Sequence, residues 1–129
     1  EQGFAVAYPA RLPDGWLARD VYVRPGTAPI WNLDLLTAET RFVGIHQEVG
    51  DVDDVVARLV DEQAVLGEPV TLPGASVEEW STFTDEGGDY ALVAELGRRR
   101  NDGQVLIVYG TAGEQPIRDL AASLTFEDR

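Results

Sequence analysis

Segment 30–49, IWNLDLLTAETRFVGIHQEV, constrains the fold more than any other stretch of the chain. Side chains alternate between the two faces of a strand. Trp31, Leu33 and Leu35 therefore share one face, with Asn32 and Asp34 opposite. Further on, Val43, Ile45 and Val49 share a face with one polar exception, Gln47, while Phe42, Gly44, His46 and Glu48 lie on the other. Both apolar sets reach one core only if odd positions pair with odd positions. That demands a hairpin with an odd loop, Ala38-Glu39-Thr40, in which Thr37 faces Arg41 and Asn32 faces His46. A slip of one residue turns one apolar set to solvent. The outer face then gathers Asn32, Asp34, His46 and Glu48, the polar constellation of greatest chemical interest in the chain.

The flanking segments extend this hairpin into a sheet. Residues 4–8 form a short apolar run before Pro9, suited to an edge strand or a leading arm. Leu12-Pro13-Asp14-Gly15-Trp16 is a turn, because proline presets φ and glycine supplies a positive φ. Residues 17–24 read as a strand with Val21 and Val23 inward, ended by Pro25-Gly26. Residues 51–66 carry Val52, Val55, Val56, Leu59, Val60 and Leu66 at helical spacing, with Asp51 as N-cap and Asp53 and Asp54 in the first turn. A short strand at 68–72 and strands at 76–84, 90–96 and 104–111 follow. Val105 to Tyr109 are apolar on both faces, the mark of a central strand at least partly covered on both sides. A last helix starts near Gly113-Glu114-Gln115-Pro116 and buries Ile117, Leu120, Ala121 and Leu124, leaving 125–129 as a tail. The expected architecture is α+β: a curved antiparallel β-sheet with two helices packed on one face, in the order strands, helix, strands, helix.

Length and composition bound the function. At 129 residues and 44% hydrophobic content, the chain suits a single globular domain over residues 1–129. It has no run long and apolar enough for a membrane span and no signal peptide. It starts at Glu1 and lacks methionine, so a processed or truncated piece of a longer product is expected. A net charge of −13 repels nucleic acids and anionic membranes. All 10 basic residues are arginine, a composition expected of a GC-rich genome. Cysteine is absent, which removes disulfides, thiol catalysis and thiolate metal sites.

Several segments in order carry a family resemblance. They are Tyr8-Pro9-Ala10-Arg11-Leu12-Pro13-Asp14-Gly15-Trp16, then Trp31 with its hairpin ending in Gln47, Trp80, Gly110-Thr111-Ala112, and Leu120-Ala121-Ala122-Ser123-Leu124. Together they resemble an uncharacterised actinobacterial family of single-pass, membrane-anchored proteins, classed as a domain of unknown function. The first and last segments are also similar to extracytoplasmic domains of some anti-sigma factors and envelope lipoproteins. The resemblance implies an N-terminal anchor in the parent protein, an extracytoplasmic location, and a sheet-and-two-helix fold akin to the Mog1/PsbP shape. It implies no catalytic motif.

Each candidate chemistry competes with a structural reading. His46 is the single histidine; beside Asp34 and Glu48 it suits a general acid–base group or a metal ligand. No GxSxG elbow accompanies it, and one histidine is a thin zinc set, so a surface or structural histidine is the stronger expectation. The acidic runs 51–54 and 85–89 lack the spacing of a calcium loop and read as a helix cap and a turn. Arg98, Arg99 and Arg100 have forks suited to phosphate or carboxylate, against the reading of a solvated hairpin tip. Trp16, Trp31 and Trp80 suit core and sheet-edge packing better than a ligand cleft; the inward parity of Trp31 favours the core, and Trp16, after a turn, is open to exposure. Gly110-Thr111-Ala112-Gly113 precedes a helix but lacks phosphate-loop spacing and lysine. The expected function is a non-enzymatic extracytoplasmic domain that binds a protein or other cell-envelope partner, with no cofactor and no nucleic acid. The alternative is a small-ligand or metal-binding sensor using Asn32, Asp34, His46, Glu48 or the arginine cluster.

Overall fold

In the computed structural model, residues 5–97 and 103–128 are described. Among the described residues, ten strands and two helices follow one another: β1 (Ala5–Pro9), β2 (Leu17–Arg24), β3 (Ile30–Leu36), β4 (Phe42–Val49), α1 (Val52–Leu59), β5 (Val65–Leu66), β6 (Val70–Thr71), β7 (Glu79–Thr84), β8 (Tyr90–Leu96), β9 (Gln104–Gly110), α2 (Glu114–Ala122) and β10 (Leu124–Asp128). The main sheet has the order β2-β3-β4-β9-β8-β7-β5, with β6 also paired to β7. Every pairing in it is antiparallel. The fold class is α+β.

The β3–β4 register is the one demanded by burying both apolar sets together. Leu33 faces Ile45, Leu35 faces Val43 and Asn32 faces His46. Thr37 N donates to Arg41 O at 2.8 Å, closing the loop Ala38-Glu39-Thr40, where Thr40 takes a positive φ of 62°. β9 lies between β4 and β8, the central place that its two apolar faces require.

Alternation along these strands builds two cores. Trp31, Leu35, Ile45, Leu92, Leu106 and Val108 point to one face and pack with Ile117, Leu120 and Ala121 of α2. Ala91, Val93, Val105 and Ile107 point to the other and pack with Val55 and Val56 of α1. The two helices therefore cover opposite faces, which corrects the expectation that both lie on one. A strand apolar on both faces needs a cover on each.

Two boundaries and one burial also differ from expectation. α1 stops at Leu59: Val60 N and Asp61 N both donate to Val56 O, and the Asp61 carboxylate accepts from Gln63 N, turning the chain. Leu66 then pairs with Phe83 in the sheet rather than extending the helix. Residues 124–128 form strand β10, antiparallel to β1, in place of a tail. Val21 and Val23 of β2 share the core-side face with Leu33 and Trp31 but are 61% and 46% exposed. They sit on the sheet's edge strand, every residue of which is exposed.

The β1–β10 ribbon is tied across the α2 face by two side chains of the central hairpin. Trp31 Nε1 donates to Ala7 O at 2.7 Å. Gln47, fully buried, accepts from Ala7 N at 2.9 Å and donates to Ala5 O at 2.7 Å and Gln104 Oε1 at 2.8 Å. This explains the polar exception in β4: the amide occupies a core position because it docks a separate strand.

Candidate functional site

The hairpin places Asn32 and Asp34 on β3, and His46 and Glu48 on β4, on the face opposite the ribbon. The structure joins all four in one hydrogen-bonded chain. Asn32 Nδ2 donates to Asp34 Oδ1 at 2.9 Å, which turns Asn32 Oδ1 toward His46 Nδ1, 2.8 Å away. His46 Nε2 lies 2.6 Å from Glu48 Oε1. The second oxygen, Oε2, accepts from Arg58 Nη2 of α1 at 2.7 Å. Arg58 is the member that strand alternation does not reveal. It belongs to the last turn of α1, and only the packing of that helix over the sheet brings it to Glu48.

Burial pushes the Glu48 carboxyl up, but hydrogen bonds and charge from His46 and Arg58 outweigh this and hold it below its ordinary value. His46 itself is 7% exposed. A general base needs a ring nitrogen within reach of a substrate proton, and here both nitrogens already have protein partners. The arrangement is a clamp linking β3, β4 and α1. Beside it an open hollow of about 480 Å³ is lined by Glu48, Asp51, Asp54, Arg58 and Glu62. Its carboxylates do not converge on a cation: among the described residues no group of three or more His, Asp or Glu side chains is placed to hold a metal.

Tyr109 closes the far side of this face. Gly44 lacks a Cβ where the Tyr109 ring passes; an added Cβ would lie 2.8 Å from Cε1. Burial, then the charges of Asp34 and Asp89, push the Tyr109 hydroxyl up to about 12, so it stays a neutral phenol.

The remaining candidates separate. Arg98, Arg99 and Arg100 lie outside the described residues. Asp51 caps α1, accepting from Asp54 N, and Asp85 Oδ1 accepts from Asp89 N within a turn. Trp31 and Trp80 are buried in the α2-side core, and Trp16 packs against it half-buried. The turn after β9 is occupied with its own sheet: Thr111 N donates to Phe42 O, and Thr111 Oγ1 accepts from Phe42 N.

On the opposite face, an apolar recess of about 260 Å³ opens between β1 and β3, lined chiefly by Val6, Tyr8, Leu12, Trp31, Leu33 and Leu35. Val21 and Val23 continue that face out to the sheet edge. Among the described residues no helix is long and apolar enough to cross a membrane. No curated protein and no solved structure matches the chain. The model of a family of proteins of unknown function, DUF4245, matches residues 1–124, and the chain belongs to that family.

Proposed function

We propose that this chain is a non-enzymatic, extracytoplasmic binding domain, carried by a single-pass anchor in an actinobacterial parent protein, and that it engages a protein partner at the cell envelope. The observation that carries the reading is β2. All eight residues of this edge strand are exposed, among them Leu17, Val21, Tyr22 and Val23 at 46–64%. Native edge strands are usually blunted by shortness, charge or cover. β2 carries Arg19, Asp20 and Arg24 and a register shift between Ala18 and Asp20, yet it is long and exposes apolar side chains along its length, the form that strand addition uses for recognition. The closed His46 clamp supports the non-enzymatic part, since both ring nitrogens of His46 and both carboxylate oxygens of Glu48 are engaged within it.

Two experiments test this. With a photo-reactive residue in place of Tyr22 in the full-length protein, irradiation of intact cells is expected to give a discrete adduct, and the same residue at Gly74 none. Absence of an adduct from position 22 rejects the reading. For location, a Gly74→Cys variant of the full-length protein should react with a membrane-impermeant thiol reagent in intact cells, and the unsubstituted protein should not. Protection until lysis rejects an extracytoplasmic domain.

The apolar recess favours a second reading, a sensor for a small apolar ligand. A thermal-shift panel of short aliphatic and aromatic acids decides it. A rise in Tm lost in Leu33→Gln supports the sensor, and a flat panel removes it.

A further inference from the structure

We infer that β2 pairs with β2 of a second copy, antiparallel about a two-fold axis through Tyr22, joining two main sheets edge to edge. The inference rests on the reading of β2 as an interaction strand and names its partner.

A two-fold interface requires a surface complementary to itself: if one residue meets another, the second must meet the first. The segment Asp20-Val21-Tyr22-Val23-Arg24 has that property. Centred on Tyr22, an antiparallel pairing sets Tyr22 against its own copy and Val21 against Val23 on both sides. Asp20 then faces Arg24 on both sides. Opposite charges facing each other across strands stabilise a sheet, and like charges destabilise it.

The faces agree as well. Val21 and Val23 lie over Leu33 and Trp31 on the α2 side, while Asp20, Tyr22 and Arg24 lie over Asp34, Asn32 and Ile30 on the other. Facing residues in an antiparallel pair share a face. The pairing therefore puts four valines together on one side and two ion pairs flanking two tyrosines on the other. The backbone is compatible too: along an edge strand, alternate residues turn their N–H and C=O outward, and this register matches even residues with even and odd with odd.

The limits of the segment match the limits of pairing. The register of β2 against β3 breaks between Ala18 and Asp20. Pro25, with no N–H to donate, follows Arg24. The regular part of the edge is thus residues 20–24. Arg24 is steadied by its own loop, Nε and Nη2 donating to Ala28 O at 3.3 and 2.9 Å. A guanidinium has five N–H donors, so donors remain for a facing carboxylate. Charge also favours this edge for self-association in a chain of net charge −13. Between residues 10 and 30 the charged side chains are Arg11, Asp14, Arg19, Asp20 and Arg24, so the approaching strands do not carry the acidic excess.

The test is a charge exchange read by sedimentation equilibrium on the domain. Wild type is expected to form a dimer at high micromolar concentration. Asp20→Arg alone sets arginine against arginine twice, and Arg24→Asp alone sets aspartate against aspartate twice. Each is expected to weaken the dimer roughly tenfold or more, given two pairs changed from attraction to repulsion. Mixing the two single variants restores complementary pairs and should yield a heterodimer, and the double variant should recover the homodimer. The substituted side chains lie on an exposed strand; Arg24→Asp loses the bonds to Ala28 O and Asp20→Arg faces Asp34, so unchanged circular dichroism and a cooperative melt of each monomer would show that folding is intact. A wild type that stays monomeric, or single variants that dimerise as well as wild type, overturns the inference. The adduct at position 22 in intact cells separates the two readings: a heteromeric adduct with a monomeric domain keeps β2 as an interaction strand and removes the second copy as its partner.

Discussion

Gln47 is one of the two side chains whose hydrogen bonds dock β1 on the sheet. Its amide accepts from Ala7 N and donates to Ala5 O and Gln104 Oε1 at a position with no solvent exposure. Gln47→Leu keeps the volume but removes the acceptor for Ala7 N–H and a donor to Gln104. A buried polar group left without its partner costs about 1–3 kcal/mol. The variant is expected to lose at least that much, seen as a lower urea midpoint. Glu48 gives the residue scale its pH signature. Its folded pKa lies below the ordinary 4.5 because His46 and Arg58 favour the carboxylate more than burial opposes it. Such a group contributes stability that is present above 4.5 and is lost as pH falls through the folded value. Wild type should therefore be more stable than Glu48→Gln at neutral pH, and the gap should close on acidification below 4.5. A gap independent of pH would show that the carboxylate's charge is not what holds α1 to the sheet.

At the scale of elements, the two ends of the chain are a ribbon pinned to the sheet rather than strands within it. Among the described residues β1 pairs with β10, and it meets the main sheet through core packing of Val6 and Ala7 and through the side chains of Trp31 and Gln47. Trp31→Phe keeps an aromatic ring in the core and removes the 2.7 Å bond to Ala7 O. A net hydrogen bond is worth about 1 kcal/mol. Amide exchange in β1 and β10 is thus expected to quicken about fivefold, from a wild-type protection already lower than that of β8 and β9. Equal wild-type protection in all four strands would mean that the ribbon opens only with the whole molecule. The same elements show where a sequence is legible. The β3–β4 register is readable because each arm alternates and only one loop parity buries both apolar sets. The proximity of Asn32, Asp34, His46 and Glu48 follows from that register, whereas Arg58 does not, because it depends on how α1 crosses the sheet. The end of α1 is hidden because Val60 and Leu66 continue the helical spacing, while the break comes from one side chain, Asp61, capping a turn. Strand β10 is hidden because its partner lies at the other end of the chain, and local pattern says nothing about non-local pairing. The separation of the helices was implicit in β9, where Ile107 and Leu106 both need a cover.

At the scale of the whole molecule, 23 acidic residues against 10 basic ones make compactness an electrostatic cost. Asp89 shows that cost locally: burial first, then the hydrogen bond and charge of Asp85 and the charge of Asp61, raise its pKa above the usual 3.8. A raised folded value means that the native state binds the proton more readily. Its contribution is therefore most favourable at low pH and declines as pH rises through the folded value. Asp89→Asn should stabilise the protein at neutral pH and flatten this part of the profile, opposite in slope to the part set by Glu48. The global charge predicts a salt response of definite sign. From ~10 mM to ~150 mM ionic strength the Debye length falls from about 30 Å to about 8 Å, so repulsion between distant carboxylates is lost first. The close pairs His46–Glu48 at 2.6 Å and Arg58–Glu48 at 2.7 Å lie well inside either length. Added sodium chloride should therefore raise Tm, by a few degrees if roughly 1 kcal/mol of repulsion is screened in a domain of this size. A fall in Tm over that range would mean that attractive pairs, and not the excess of acid, dominate the field of the folded chain.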